Sequence, residues 1–125
     1  MIGTDVITNR ARPILDDEYP DGNAAQRWTN AILIIWLNEG SRLIAEKRPE
    51  SLLTAPYTQA AYADISVIGG TVILADKYRS ALVDFVVARA LAQDAQDERD
   101  LKRSKDHMLQ FEVKAGLVPY IKGSE

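Results

Sequence analysis

The chain lacks several features that would point to a particular class of protein. It contains no cysteine, which excludes disulfide bonds and thiol catalysis. His107 is its only histidine, and the positions three and four residues away carry no usual metal ligand, so we interpret it as a surface or helix-packing residue. The longest apolar run, residues 31–37, is far shorter than the roughly 20 residues that cross a bilayer. These absences predict a non-enzymatic protein with no cofactor, no metal site and no membrane partner.

Net charge is also small. The 125 residues include 15 Lys and Arg and 18 Asp and Glu, which gives a net charge of −3 at pH 7. A dedicated nucleic-acid binder usually carries a basic face, so this balance argues against that class. The length and the 46% hydrophobic content are those of one globular domain with a single core. The first residues lack the apolar core of a signal peptide, and we expect a soluble, cytoplasmic protein.

The strongest helical signal runs from Gln26 to Pro49. Thr29 is a candidate N-cap, and Pro49 cannot continue a helix. Apolar residues recur at steps of three, four and one, as on one face of an α-helix. This stripe consists of Leu33, Trp36, Leu37, Gly40, Leu43 and Ile44. Ile34 and Ile35 fall outside it, on faces that we expect to be exposed, which predicts a second contact for this helix.

A shorter helical signal precedes this helix. Thr4 is a candidate cap for it. Pro13 lies inside the apolar pattern and predicts a kink or a break near Ala11 and Arg12. Residues 16–25 are rich in Asp, Pro, Gly and Asn and are typical of a surface loop.

Residues 50–75 have a different character. The β-branched runs 65–68 and 71–74 flank Gly69 and Gly70, which favours a β-hairpin because both glycines accept a positive φ. The alternative is a pair of irregular extended segments.

Helical periodicity returns from Asp76. One apolar stripe consists of Tyr78, Ala81, Leu82, Phe85, Ala88 and Ala92. A second strip, on nearly the opposite side, consists of Val83, Val87, Ala90 and Leu91. A helix that is apolar on both sides is either central in a bundle or shared with a neighbouring molecule. Arg89 lies within the first stripe, and we interpret it as a structural charge whose partner is Glu39, Asp97 or Glu112.

The last helix has a narrow apolar stripe and ends at Gly116, a natural residue after a helix C-terminus. The stripe consists of Leu101, Ser104, Met108, Phe111 and Ala115. Together these patterns predict a single, mainly α domain over residues 1–125. Its parts are a small four-helix bundle (3–49 and 76–116), an inserted β-hairpin (50–75) and an extended C-terminal tail (117–125).

Two stretches resemble motifs of a known family. Residues 27–49 match the pattern RW[ST][DN]xxLxxWLNxxxRxIxxxRP at Arg27, Trp28, Thr29, Asn30, Leu33, Trp36, Leu37, Asn38, Arg42, Ile44, Arg48 and Pro49. Residues 78–97 match a second run at Tyr78, Ala81, Leu82, Val83, Asp84, Phe85, Arg89, Ala90, Asp94, Ala95 and Asp97. In order and spacing these motifs, with the end of the last helix, resemble those of the head–tail adaptor proteins of tailed bacteriophages.

The resemblance implies a structural virion protein. Such adaptors form a ring, usually of twelve copies, that docks under the portal protein, extends the DNA channel and receives tail or nozzle proteins. Genomic DNA passes through without sequence-specific binding. The implied location is the head–tail interface of the virion, and the host cytoplasm during assembly.

The resemblance also implies roles for residues that the core pattern leaves over. The implied subunit contacts are Ile34, Ile35, Val83, Val87 and Leu91. The implied portal anchors in the tail are Val118, Tyr120 and Ile121. The hairpin would be the platform for the next ring. On this interpretation, Val87→Asp leaves the isolated protein folded and blocks ring assembly.

Two other hypotheses remain at the level of sequence. A small cellular regulator or antitoxin-like protein would form a homodimer with closed symmetry through its two-sided third helix. A small enzyme would show a concave pocket with convergent polar groups.

Overall fold

A computed structural model describes residues 1–15, 28–54, 58–59, 61–93 and 98–117, and it is mainly helical. A first helical stretch comprises α1 (Gly3–Val6), a π-helical turn (Ile7–Ala11) and α2 (Arg12–Leu15). The longer helices are α3 (Asn30–Lys47), α4 (Arg79–Gln93) and α5 (Glu98–Lys114). Short 3-10 turns span Pro49–Leu52 and Asp76–Tyr78.

The predicted boundaries of α3 are confirmed. The Thr29 hydroxyl accepts a hydrogen bond from the Ile32 amide, so it satisfies one of the free donors of the first turn. The helix ends at Lys47, two residues before Pro49. Its buried face is wider than the predicted stripe, because it also includes Ile34 and Ser41.

The first helical stretch is irregular where Pro13 predicts it. The Arg12 amide donates to the carbonyl of Ile7, five residues earlier, so the chain makes a π-helical turn just before the proline. The expectation that Thr4 caps this stretch is wrong. The helix begins at Gly3, and the Thr4 hydroxyl donates instead to the carbonyl oxygen of Ile68, at 3.3 Å.

Helix α4 is the centre of the fold. Between Ala81 and Leu91 every residue except Arg89 is buried. The first helical stretch, α3 and α5 all pack against it. Because its neighbours cover it on several sides, its apolar residues do not need to be confined to one stripe.

Phe85 joins the three longest helices. The centroid of its ring lies 4.8 Å from that of Phe111 in α5. The two rings are tilted, an arrangement that aromatic pairs prefer. On the other side it meets α3 at Gly40, where an added Cβ would lie only 2.8 Å from the Phe85 ring. The absence of a side chain at Gly40 therefore allows α3 and α4 to approach closely.

The prediction of a β-hairpin over residues 65–74 is wrong. These residues are described and form no strand pair with each other. The Gly70 amide does close a turn onto the Val67 carbonyl, at 2.9 Å, but the flanking backbone pairs elsewhere. Gly70 accepts from the Gly3 amide, and the Val72 amide donates to Met1. The alternative of irregular extended segments is the one observed.

A much smaller antiparallel pair lies earlier in the same region. It joins β1 (Leu53–Thr54) to β2 (Thr58–Gln59), with Leu53 opposite Gln59. The fold is therefore a helical one with a short two-stranded element, and the local β-propensity of residues 65–74 serves extended packing rather than a sheet.

Candidate subunit and partner interfaces

Four of the five predicted subunit contacts are buried inside the chain itself. They are Ile34, Val83, Val87 and Leu91, each at most 8% exposed. The physical reason is that the first helical stretch packs on α4 together with α3 and α5, so it covers surface that periodicity alone left free. Side chains with so little accessible surface contribute almost nothing to a contact with a neighbouring molecule. The assignment of these four residues to a subunit interface is therefore wrong.

Ile35 is the exception, because 62% of its surface is exposed. It lies on the side of α3 that points away from the core, and it borders a cleft of about 360 Å³. The cleft is lined by Ile35, Asn38, Glu39, Arg42 and Asp64. An exposed isoleucine surrounded by charged and amide groups has the composition of a protein contact surface.

Asn38 lines this cleft and binds the extended segment beside it. Its side-chain amide donates to the Ile65 carbonyl oxygen at 2.9 Å, and its side-chain oxygen accepts from the Ile65 amide at 3.0 Å. The Tyr62 hydroxyl oxygen lies 3.2 Å from the backbone oxygen of Asn38. The extended segment 61–65 is thereby fixed against the middle of α3.

A charged network continues from this segment. The Tyr62 hydroxyl donates to Asp64 at 2.6 Å, and the Arg42 guanidinium binds the same carboxylate through Nε and Nη2. Partial burial, together with the hydrogen bond to Asp64, raises the pKa of Tyr62 above its ordinary value. The Tyr62 hydrogen bond, and then Arg42, lower the pKa of Asp64. Arg42 is thus oriented on the outer surface of α3 by a fixed carboxylate.

Helix α5 carries a second exposed apolar surface. Leu109 and Val113 are 54% and 52% exposed, one helical turn apart. They lie on the face opposite Ser104 and Phe111, which are buried against α4. Neither residue belongs to the apolar stripe predicted for this helix, although both interrupt an otherwise polar face and could have been recognised there.

Between α4 and α5 lies a polar cluster that the sequence analysis missed. Asp84 is 6% exposed, and its two carboxylate oxygens contact His107 Nδ1 at 2.8 Å and Lys114 Nζ at 2.6 Å. Lys114 also donates to Ser80. His107 therefore packs between helices, as one of the two interpretations of this residue proposed. Because the buried Asp84 carboxylate contacts both His107 and Lys114, it holds α5 against α4 over about two helical turns.

Arg89 is more exposed than its place in the apolar stripe predicts. Its side chain is 44% exposed and pairs with Glu39 of α3 at 3.5 Å, so one of the three predicted partners is confirmed. Among the described residues the buried arginine is Arg12 instead, whose guanidinium donates to the Trp28 backbone oxygen and to the Asn30 side chain. Arg89 thus makes an outer link between α3 and α4.

The predicted portal anchors Val118, Tyr120 and Ile121 lie outside the described residues. The helix end that precedes them is well defined. Gly116 has a positive φ of 71°, and the amides of Gly116 and Leu117 donate to Val113 and Glu112 in a Schellman motif. Arg48 donates to the Gly116 carbonyl oxygen, with its Nε at 3.0 Å. The end of α3 and the end of α5 therefore meet where the tail begins.

The described part of the chain has no helix suited to a membrane and no metal-binding cluster. None of its helices has the length and apolar character to cross a membrane. In the same ranges, no group of three or more His, Asp or Glu side chains comes together in a way that could hold a metal ion. Comparison of the whole chain with known protein families, with curated proteins and with solved structures finds no match.

Proposed function

We propose that this chain is a head–tail adaptor of a tailed bacteriophage. Twelve copies would form a ring that docks under the portal protein, extends the DNA channel and receives tail or nozzle proteins. The observation that carries the proposal is the ordered set of motif residues along 27–49 and 78–97. The protein would assemble in the host cytoplasm and remain at the head–tail interface of the virion.

The positions of the motif residues in the fold support the proposal that the chain is a head–tail adaptor. Trp36 and Leu37 are buried in the core, and Thr29 caps α3. Asn38 holds a segment that is distant in sequence, and Asp84 joins α4 to α5. Motif residues with such contacts constrain a whole fold rather than one local turn, which explains why their spacing carries information.

The exposed surfaces are also suited to a ring. A ring requires two different surfaces on each copy, so that one copy can contact the next in the same direction. The outer faces of α3 and α5 each carry exposed apolar residues, Ile35 on the first and Leu109 and Val113 on the second. The homodimer hypothesis depended on a free side of α4, and that side is covered within the chain.

The proposed role is structural, and it needs no catalytic group and no cofactor. An adaptor surrounds the passing genome without reading its sequence. A slightly acidic protein is suited to this task, because a wall of like charge does not retain DNA. In this proposal the four helical stretches form one small bundle, and the tail beyond residue 117 reaches the portal.

The test is an affinity pull-down of the tagged protein from phage-producing cells, followed by negative-stain electron microscopy of the eluate. We expect rings, or capsids that carry the portal, together with a much larger portal protein. Ile35→Asp provides a matched sample, since it changes one exposed side chain on a proposed contact surface. A lone dimer, or a complex with a cellular protein or nucleic acid, would overturn the proposal.

A further inference from the structure

The outer surface of α3 presents a stripe of three exposed side chains. Arg42 and Glu46 follow Ile35 by seven and eleven residues, which brings all three to nearly the same face at 3.6 residues per turn. Arg42 is 60% exposed although it pairs with Asp64, and that pair uses its Nε and Nη2 groups. From the start of α3 to its end, the stripe is therefore apolar at Ile35, positive at Arg42 and negative at Glu46.

The outer surface of α5 presents a stripe with the same spacing in the reverse direction. Asp106 and Lys102 precede Val113 by seven and eleven residues, and all three are exposed. In the part of the chain that the structure describes, no ion pair involves Asp106, Lys102 or the Glu46 of α3. From the end of α5 towards its start, this stripe is apolar at Val113, negative at Asp106 and positive at Lys102.

The two stripes are complementary when the helices are antiparallel. With Ile35 opposite Val113, a rise of about 1.5 Å per residue brings Arg42 opposite Asp106 at roughly 10.5 Å along the axis. Glu46 then falls opposite Lys102 at roughly 16.5 Å. Both charged positions meet a charge of opposite sign in this register.

Other registers lose this match. If Ile35 is placed opposite Leu109 instead, Arg42 falls opposite Lys102, which is a like-charge contact. A parallel arrangement with Ile35 opposite Val113 carries Arg42 past Lys114, where α5 ends. Charge therefore selects one direction and one register of the two helices.

We propose that the outer face of α5 binds the outer face of α3 on a second copy of this chain, in this antiparallel register. The contact is heterologous, because it uses different surfaces on the two copies, and it can repeat from copy to copy until a ring closes. The inference rests on the proposed ring-forming function and names the contact that builds the ring. Ile35 and Val113 form its apolar centre, and the two ion pairs fix its register.

Charge exchange provides the test. The variants are Glu46→Lys, Lys102→Glu and the double variant, and their molar mass is measured by light scattering and sedimentation over a concentration series. Each single variant places like charges at the contact, so we expect the concentration for half-association to rise roughly tenfold. The double variant restores opposite charges and should assemble like the unmodified chain. At concentrations where the chains are monomeric, thermal unfolding should be unchanged in all three, because both side chains are exposed.

A mixture of the two single variants gives a sharper result. Each contact between unlike variants brings opposite charges together again, so the mixture should assemble although neither variant assembles well alone. Arg10→Glu is the matched control for Lys102→Glu. It makes the same change in net charge at an exposed position of the first helical stretch, outside both stripes, and should leave association unaltered.

Three results would overturn the contact: a chain that stays monomeric at every concentration, a double variant that does not recover, or a control that weakens association equally. Failure of the proposed function looks different. Copies that assemble with the expected charge dependence but never bind portal-bearing capsids would keep the contact and reject the adaptor role. Portal-bound rings that are insensitive to the exchanges would keep the adaptor role and reject the contact.

Discussion

At the scale of single residues, Asn38 shows how one side chain can replace a strand. Its amide group binds both the N–H and the C=O of Ile65, as the backbone of a neighbouring strand would. The extended segment 61–65 has no sheet partner among the described residues. These two hydrogen bonds therefore satisfy backbone groups of Ile65 that would otherwise lie unpaired against α3.

We predict that Asn38→Asp destabilises the protein more than the similar size of the two side chains suggests. The aspartate keeps an acceptor for the Ile65 amide but turns a second acceptor toward the Ile65 carbonyl oxygen. The expected loss is about 1–3 kcal/mol in the free energy of unfolding, measured by urea denaturation. Gln110→Glu, the same amide-to-carboxylate change at an exposed position of α5, is the control. An equal effect of both substitutions would show that the contact with Ile65 contributes little.

The Tyr62 and Asp64 pair predicts how stability depends on pH. The folded state lowers the pKa of Asp64, so its stabilising contribution is complete above about pH 5 and is lost as the pH falls through the lowered pKa. The folded state raises the pKa of Tyr62, so its contribution is complete below its ordinary pKa of about 10 and is lost as the pH rises above it. Thermal melts across pH should show both losses, the first reduced in Asp64→Asn and the second absent in Tyr62→Phe. Identical pH profiles for these variants and the unmodified chain would contradict this prediction.

Residue-level features were predictable where the signal is local. The Thr29 cap, the end of α3 before Pro49 and the positive φ of Gly116 each depend on neighbours within about four residues. The Asn38–Ile65 and Asp84–His107 contacts join residues that are 27 and 23 positions apart. No periodicity in one sequence identifies such partners, so this part of the site required the fold.

At the scale of elements, periodicity identified the apolar faces but not what covers them. Helix α4 is apolar on two sides, as the sequence analysis found, and both sides are buried within the chain. Residues 65–74 have the β-propensity of a hairpin, yet their backbone bonds to residues 1–3 and to Asn38. In both cases long-range packing overrode a correct local signal.

A change to aspartate at Val87 of α4 and at Ile35 of α3 tests whether α4 is enclosed within the chain. Val87→Asp should fail to fold, because it buries a carboxylate at a site with no accessible surface. The earlier expectation that this variant stays folded is therefore reversed. Ile35→Asp should fold normally and lose self-association. Circular dichroism and sedimentation of both variants make the measurement, and a folded Val87→Asp would show that this side of α4 is free.

At the scale of the whole molecule, the ends of α3 and α5 converge where the tail begins. Arg48 binds the last carbonyl before Leu117, so the direction in which the chain leaves the fold is set by α3 as well as by α5. In the proposed ring, the tail of each copy would start from an equivalent place. That regularity is what a portal with repeated binding sites requires.

Deletion of residues 118–125 should abolish attachment to the portal without reducing stability or self-association. The described contacts of Gly116 and Leu117 remain in the shortened chain. The measurement is capture of portal-bearing capsids by the purified variant, together with its melting temperature. A chain shortened only by residues 122–125 retains Val118, Tyr120 and Ile121 and should still bind. Unchanged capture by the longer deletion would assign portal docking to another surface.

The central position of α4 also has a consequence for local opening. From Ala81 to Leu91 its residues, except Arg89, are buried against the first helical stretch, α3 and α5, so we expect the amides of this part to be the best protected of the described chain. We expect hydrogen exchange in this part of α4 to require opening of most of the fold. Amides at the start of α5, where the side chains are exposed, can exchange by fraying. The protection of α4 in the monomer is therefore a measure of its global free energy of unfolding, and self-association should increase that protection.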